Sequence, residues 1–179
     1  NIGIVHNVPV ASFGKDAKAS DDVMVQVDAI DYVLKKEGYV TRKIPFTRDL
    51  DAFLKSLQKE RVDVIFNLCE TVDEDATMAA HPAAVFELLG IPFTGSPVVA
   101  LTVTTDKVMT KRLLTCKGIK TPHYLIYNGS DCFNAAYLEF PVIVKPRYED
   151  ASIGIDQESI FRTEKKLKGS IKDFYDQIG

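Results

Sequence analysis

Ile2-Gly3-Ile4-Val5 and Val62-Asp63-Val64-Ile65-Phe66 bracket the stretch that decides the fold. Each run is short, apolar and rich in β-branched residues, and each passes into polar chain, the pattern of a buried strand meeting its loop. Between them the period changes twice. From Asp21 onward Val23, Val27, Ile30 and Leu34 recur at helical spacing, and Gly38 supplies a stop. Tyr39 to Ile44 reads as a second strand. Leu50, Phe53, Leu54 and Leu57 mark a second amphipathic helix, opened by Asp49 and Asp51, whose charge suits the positive end of a helix dipole. Strand, helix, strand, helix, strand in that order predicts an α/β fold, a parallel sheet with crossover helices. The order sets a class and no function, because such sheets host many activities.

Further along, Ala83 to Leu89 reads as a helix closed by Gly90, then a short strand from Ile91 to Thr94 and a turn at Gly95-Ser96-Pro97. Asp106 to Lys117 is the next helix, ended by Gly118, and Pro122 opens an extended stretch. A domain boundary falls between about 95 and 120. Beyond it the sequence predicts a strand near His123 to Tyr127, a short helix near Phe133 to Tyr137, a strand from Pro141 to Lys145 and a last helix from Glu164 to Gln177.

Bulk properties exclude several classes. The 179 residues are 46% apolar and 26% charged with a net charge of −3, an ordinary globular balance without the basic stripe of a nucleic-acid partner. No apolar run approaches the length of a membrane span. Cys69, Cys116 and Cys132 are odd in number and lack metal-ligand spacing, which reads as reduced thiols in a cytoplasmic protein. His6, His81 and His123 lie far apart with no carboxylate or cysteine at ligand spacing, so no metal site is expected from them. There is no GxxxxGK[ST] loop, no GxGxxG after the first strand and no GxSxG elbow.

Several local features could carry chemistry. In Phe140-Pro141-Val142-Ile143-Val144-Lys145-Pro146, strand alternation puts Ile143 and Lys145 on one face and Val142 and Val144 on the other. A lysine ending such a run either meets an anion or snorkels to solvent. The following Ala151-Ser152-Ile153-Gly154 is small enough for its backbone to approach phosphate oxygens, or to make a plain turn. Lys107, Lys111 and Arg112 put positive charge at a helix start, against the dipole, which fits either a compensating anion or a solvated face. The acidic run Glu70, Asp73, Glu74 and Asp75 could bind a cation but reads more simply as a polar loop after the third strand.

The order of these segments is more specific than any one of them. Leu88-Leu89-Gly90-Ile91-Pro92-Phe93-Thr94-Gly95-Ser96, Asp106-Lys107, Gly118-Ile119-Lys120-Thr121-Pro122, Pro141-Val142-Ile143-Val144-Lys145-Pro146 and Glu149-Asp150-Ala151-Ser152-Ile153-Gly154 closely resemble the D-alanine–D-alanine ligase family of the ATP-grasp superfamily. The resemblance implies an N-terminal Rossmann-like, pre-ATP-grasp substrate domain over 1–105, then a linker helix and an incomplete ATP-grasp lid domain over 106–179. It implies a ligase that joins two amino acids through an acyl phosphate, in the cytoplasm and in peptidoglycan biosynthesis, as a homodimer through the N-terminal domain. ATP would contact Lys107, Lys145 and the lid loop around Ser152. The substrate side would use Asp21, where relatives usually carry glutamate, and Glu70.

Asn67-Leu68-Cys69-Glu70-Thr71-Val72-Asp73-Glu74-Asp75 departs from the HGxxGEDG pattern of the family, which keeps a ligase for another acid and amine open. The resemblance places the Mg²⁺ ligands beyond Gly179. It follows that this stretch by itself is expected to lack ligase turnover and to bind ATP weakly, or to serve as a non-catalytic ligand-binding module.

Overall fold

The computed structural model describes residues 1–8, 17–130, 133–149 and 155–178, with the side chains of 17–22 and 178 left aside. The chain divides into two compact units, Asn1–Asp106 and Lys107–Gly179.

In the first unit, strands β1 (Ile2–Asn7), β2 (Thr41–Phe46) and β3 (Val64–Leu68) form a parallel sheet in the order β2-β1-β3. Ile2 pairs with Thr41 on one side and with Val64 on the other. Helix α1 (Ala17–Lys36) joins β1 to β2, and α2 (Leu50–Glu60) joins β2 to β3. The alternating residues of β1 separate the two faces. Ile4 packs with Val23 and Val27 of α1, while Val5 joins Ile44, Phe46, Ile65 and Phe53 and Leu57 of α2. The sheet is thus covered on both faces, as parallel sheets require. Helix α2 starts where the acidic residues predict it: the Asp49 carboxylate accepts the Ala52 N–H at 3.0 Å.

Helix α3 (His81–Leu89) follows, closed by Gly90 at φ 67°, and drives Phe86 into the core against Phe46, Phe53 and Phe93. The stretch expected as a strand from Ile91 to Thr94 makes only a single parallel bridge, Ile65 to Phe93. Helix α4 (Val98–Thr105) was not foreseen from its sequence. None of its residues is buried, and its first N–H is capped from outside, by the Glu87 carboxylate of α3 at 2.9 Å.

The second unit begins with α5 (Lys107–Cys116) and ends with α6 (Glu164–Ile178). Between them β4 (Val142–Ile143) pairs antiparallel with β5 (Ile160–Phe161), and the Val144 N–H extends the ladder to the Ser159 carbonyl at 2.9 Å. The core here is Ala135, Phe161, Leu167 and Ile171, with Val142 and Val144 packed on it. The strand expected near His123 to Tyr127 and the helix expected near Phe133 to Tyr137 do not form. The first has no strand partner among the described residues, and the second reduces to a turn at Ala136 and Tyr137.

Candidate functional site

Lys145 leaves β4 on the face that alternation assigns it. Ile143 is exposed, Val142 and Val144 face the core, and Lys145 is exposed with no hydrogen bond or ion pair among the described residues. The strand ladder therefore presents an ammonium to solvent, at the end of an apolar run, without a partner to neutralise it among the described residues.

Lys107 is the first residue of α5, and its surroundings answer the question its charge raised. Its ammonium donates to the main-chain carbonyls of Arg147, at 3.4 Å, and Glu149. Its own N–H donates to the Arg147 carbonyl as well, at 3.3 Å. Carbonyl oxygens thus supply the negative partners that the helix start cannot. The chain just past Lys145 is held on Lys107, so two lysines 38 positions apart in sequence share one small region of the second unit. Lys111, one turn further, donates to the Pro122 carbonyl at 2.9 Å and lies 5.4 Å from the centre of the Tyr124 ring. Ser152 lies outside the described residues.

Glu70 lies in the first unit, two residues past β3. Its side chain is exposed, and its N–H donates to the Oδ1 of buried Asn7, the last residue of β1, at 3.3 Å. It therefore sits at the carboxyl end of the sheet beside the central strand, the end at which open α/β sheets bind ligands. Asp21 falls in α1, but its side chain lies outside the described residues.

Past Glu70 the chain makes a tight hairpin in which Val72 and Asp75 exchange backbone hydrogen bonds. Asp73 and Glu74 both take positive φ there, 49° and 65°, at positions where glycine would be free of strain. Arg48, from the loop after β2, reaches Asp73 at 3.5 Å and Asp75 at 3.3 Å, and so holds the hairpin. The Thr77 hydroxyl hydrogen-bonded to Asp75, with Arg48 and His81 nearby, keeps the Asp75 carboxyl below the ordinary aspartate range. Part of the acidic run is thus engaged with an arginine. Among the described residues no group of three or more His, Cys, Asp or Glu could hold a metal ion. Burial pushes the Cys69 thiol well up, which makes it a poor nucleophile.

Sequence reasoning missed Asn7, the Arg147 and Glu149 carbonyls, and Arg48. Asn7 carried a signal, a polar residue ending a buried strand. The carbonyls carried none, since every residue has one.

No family profile matches the chain. Curated relatives do. It is 33% identical over 138 residues to the D-alanine–D-alanine ligase of Carboxydothermus hydrogenoformans, covering 72% of this chain and 42% of that one. It is 33% identical over 148 residues to the D-alanine–D-alanine ligase of Syntrophotalea carbinolica, covering 82% and 45%. The chain thus spans somewhat under half the length of these relatives. The crystal structure of the Bacillus anthracis D-alanine–D-alanine ligase complexed with ATP superposes with a TM-score of 0.72 at 19% identity, covering 98% of this chain and 55% of that one. The structural likeness concerns the fold alone, whereas the sequence identity makes the chain a homologue of D-alanine–D-alanine ligases over somewhat under half of their length.

Proposed function

We propose that the chain is part of an ATP-dependent carboxylate–amine ligase of the D-alanine–D-alanine ligase type. The observation that carries this reading is the meeting of Lys107 with the segment just past Lys145. It puts two ammonium groups at the start of a helix and the end of a strand in one unit, a charge arrangement suited to the phosphates of ATP. Kinship with enzymes that bear the D-alanine–D-alanine ligase name supports it.

In the proposed reaction a carboxylate oxygen of the first amino acid attacks the γ-phosphorus of ATP, and ADP departs. The amine of the second attacks the acyl carbon, the bond to phosphate breaks, and the nitrogen loses a proton. Lys107 and Lys145 offset the phosphate charge, with a strength that rises as water leaves the site. The loop holding Ser152 covers the phosphates and keeps water from the acyl phosphate. Asp21 and Glu70 serve the amino-acid side. The described residues offer no ligand set for Mg²⁺, whose ligands are proposed to lie outside them, and no step is assigned to the ion. A cytoplasmic homodimer joined through the first unit, acting in peptidoglycan synthesis, completes the proposal. Among the described residues no helix is long and apolar enough to cross a membrane.

The test is substrate-dependent ADP release by the full-length protein, screened over D- and L-amino acids. D-Alanine as best substrate is expected. Activity confined to another pair would move the assignment to a ligase of different specificity, to which the segment Asn67 to Asp75 already points by its departures. Lys145→Ala is expected to lower turnover by about a hundredfold. Unchanged turnover together with unchanged ATP affinity would remove Lys145 from the site.

A further inference from the structure

Lys107 has a second role open to it before any nucleotide binds. We propose that Lys107 is a positioning residue for Lys145: its ammonium and its N–H fasten the chain immediately after Lys145, so that Lys145 is presented in place when ATP arrives. The inference rests on the phosphate-side reading above for what Lys145 contacts, but its structural half stands alone.

The geometry is specific. From Lys145 the chain runs through buried Pro146 to Arg147 and Glu149. On the strand side, the Val144 N–H donates to the Ser159 carbonyl at 2.9 Å. Beyond it, Lys107 takes over, with its N–H and ammonium on the Arg147 carbonyl and its ammonium on the Glu149 carbonyl. Lys145 therefore lies between two anchored points, one at Ser159 just before β5 and one on the first turn of α5. Hydrogen bonds from a charged donor are stronger than neutral ones, and an ammonium can serve several acceptors at once. A single side chain can thus hold this segment at two carbonyls. Anchoring in advance spares the nucleotide the cost of ordering Lys145 at the moment of binding.

Two readouts separate this role from a general structural one. The first is cleavage of the Arg147–Tyr148 bond by an arginine-specific protease, in the full-length protein without nucleotide. Lys107→Met, which keeps the aliphatic bulk and loses every donor on the side chain, is expected to speed cleavage about tenfold. Lys107→Arg, which keeps donors, is expected to stay within about threefold of the parent. Lys107→Leu, which likewise lacks any side-chain donor, is run alongside, so that a poorly folding methionine variant does not leave the matter undecided. Cleavage at Arg162, before α6, serves as the control. Unchanged cleavage at Arg147 in both donor-deficient variants, or equal acceleration at Arg162, would overturn the proposal.

The second readout is affinity for a non-hydrolysable ATP analogue in Lys107→Met, Lys145→Met and the double variant. The two losses are expected to be non-additive, with the Lys107 substitution costing at least about fivefold less once Lys145 is gone. Strict additivity would overturn the positioning role. If instead Lys145→Met binds the analogue as well as the parent does, the phosphate-side reading fails, while the protease result still decides the tether.

Discussion

Asp31 shows how one carboxylate ties a helix to a strand. It sits on α1, where it accepts the Thr41 hydroxyl of β2 at 2.5 Å and the Lys35 ammonium at 2.8 Å, with Lys43 of β2 at 3.7 Å. These hydrogen bonds, with Lys35 first, hold its carboxyl below the ordinary aspartate value. A folded-state pKa below the unfolded one means stability that is fully present above about pH 4. It is lost as the pH falls through the depressed folded value. Asp31→Asn is expected to cost about 1 kcal/mol at neutral pH, the modest figure for a pair near the surface. In urea titrations the gap between parent and variant should close toward pH 2; a gap independent of pH would remove the ionic account. At this scale the sequence was legible where the strand period governs, as at Ile143 and Lys145. It was silent at Lys107, because nothing in a side-chain pattern marks which backbone carbonyl will lie across from an ammonium.

Among the elements, α3 joins the core of the first unit through Phe86. Fully buried, Phe86 meets Phe93 at 5.5 Å, Phe53 at 6.1 Å and Phe46 at 6.2 Å between ring centres, so β2, α2 and the chain after α3 converge on one side chain. Phe86→Ala is expected to cost about 3–5 kcal/mol, through lost transfer energy and the cavity left behind. A urea midpoint shifted by less than a third of that would mean the site collapses around the gap. The three strands and two crossover helices of the first unit could be read from apolar period because each buries one face or both. Helix α4 could not. Its Val98-Val99-Ala100-Leu101-Thr102-Val103-Thr104-Thr105 is β-branched, shows no buried face and depends on Glu87 of another helix for its cap. Gly129 was equally opaque: it combines φ 83° with an approach to the Tyr175 ring that would leave an added Cβ only 3.2 Å from it.

For the whole molecule, the two units have separate interiors. The clusters around Val5 and Ile4 both lie within Asn1–Asp106, and the cluster around Phe161 lies within Lys107–Gly179. Residues 1–106 alone are therefore expected to fold, with a cooperative urea transition followed by circular dichroism. A non-cooperative transition would show that the first unit depends on chain beyond it. The sequence suggested a domain boundary between about 95 and 120, where Gly118 and Pro122 interrupt the pattern. The interior of the second unit was not legible, because its strands β4 and β5 hold two residues each and take their partners from far along the chain. The strand order has a further consequence for synthesis. β1 precedes both of its neighbours yet lies between them, so a growing polypeptide exposes both of its hydrogen-bonding edges until β2 and then β3 leave the ribosome. Of the three strands the one made first must wait for both of the others, and it is the segment that a holding chaperone would be expected to cover.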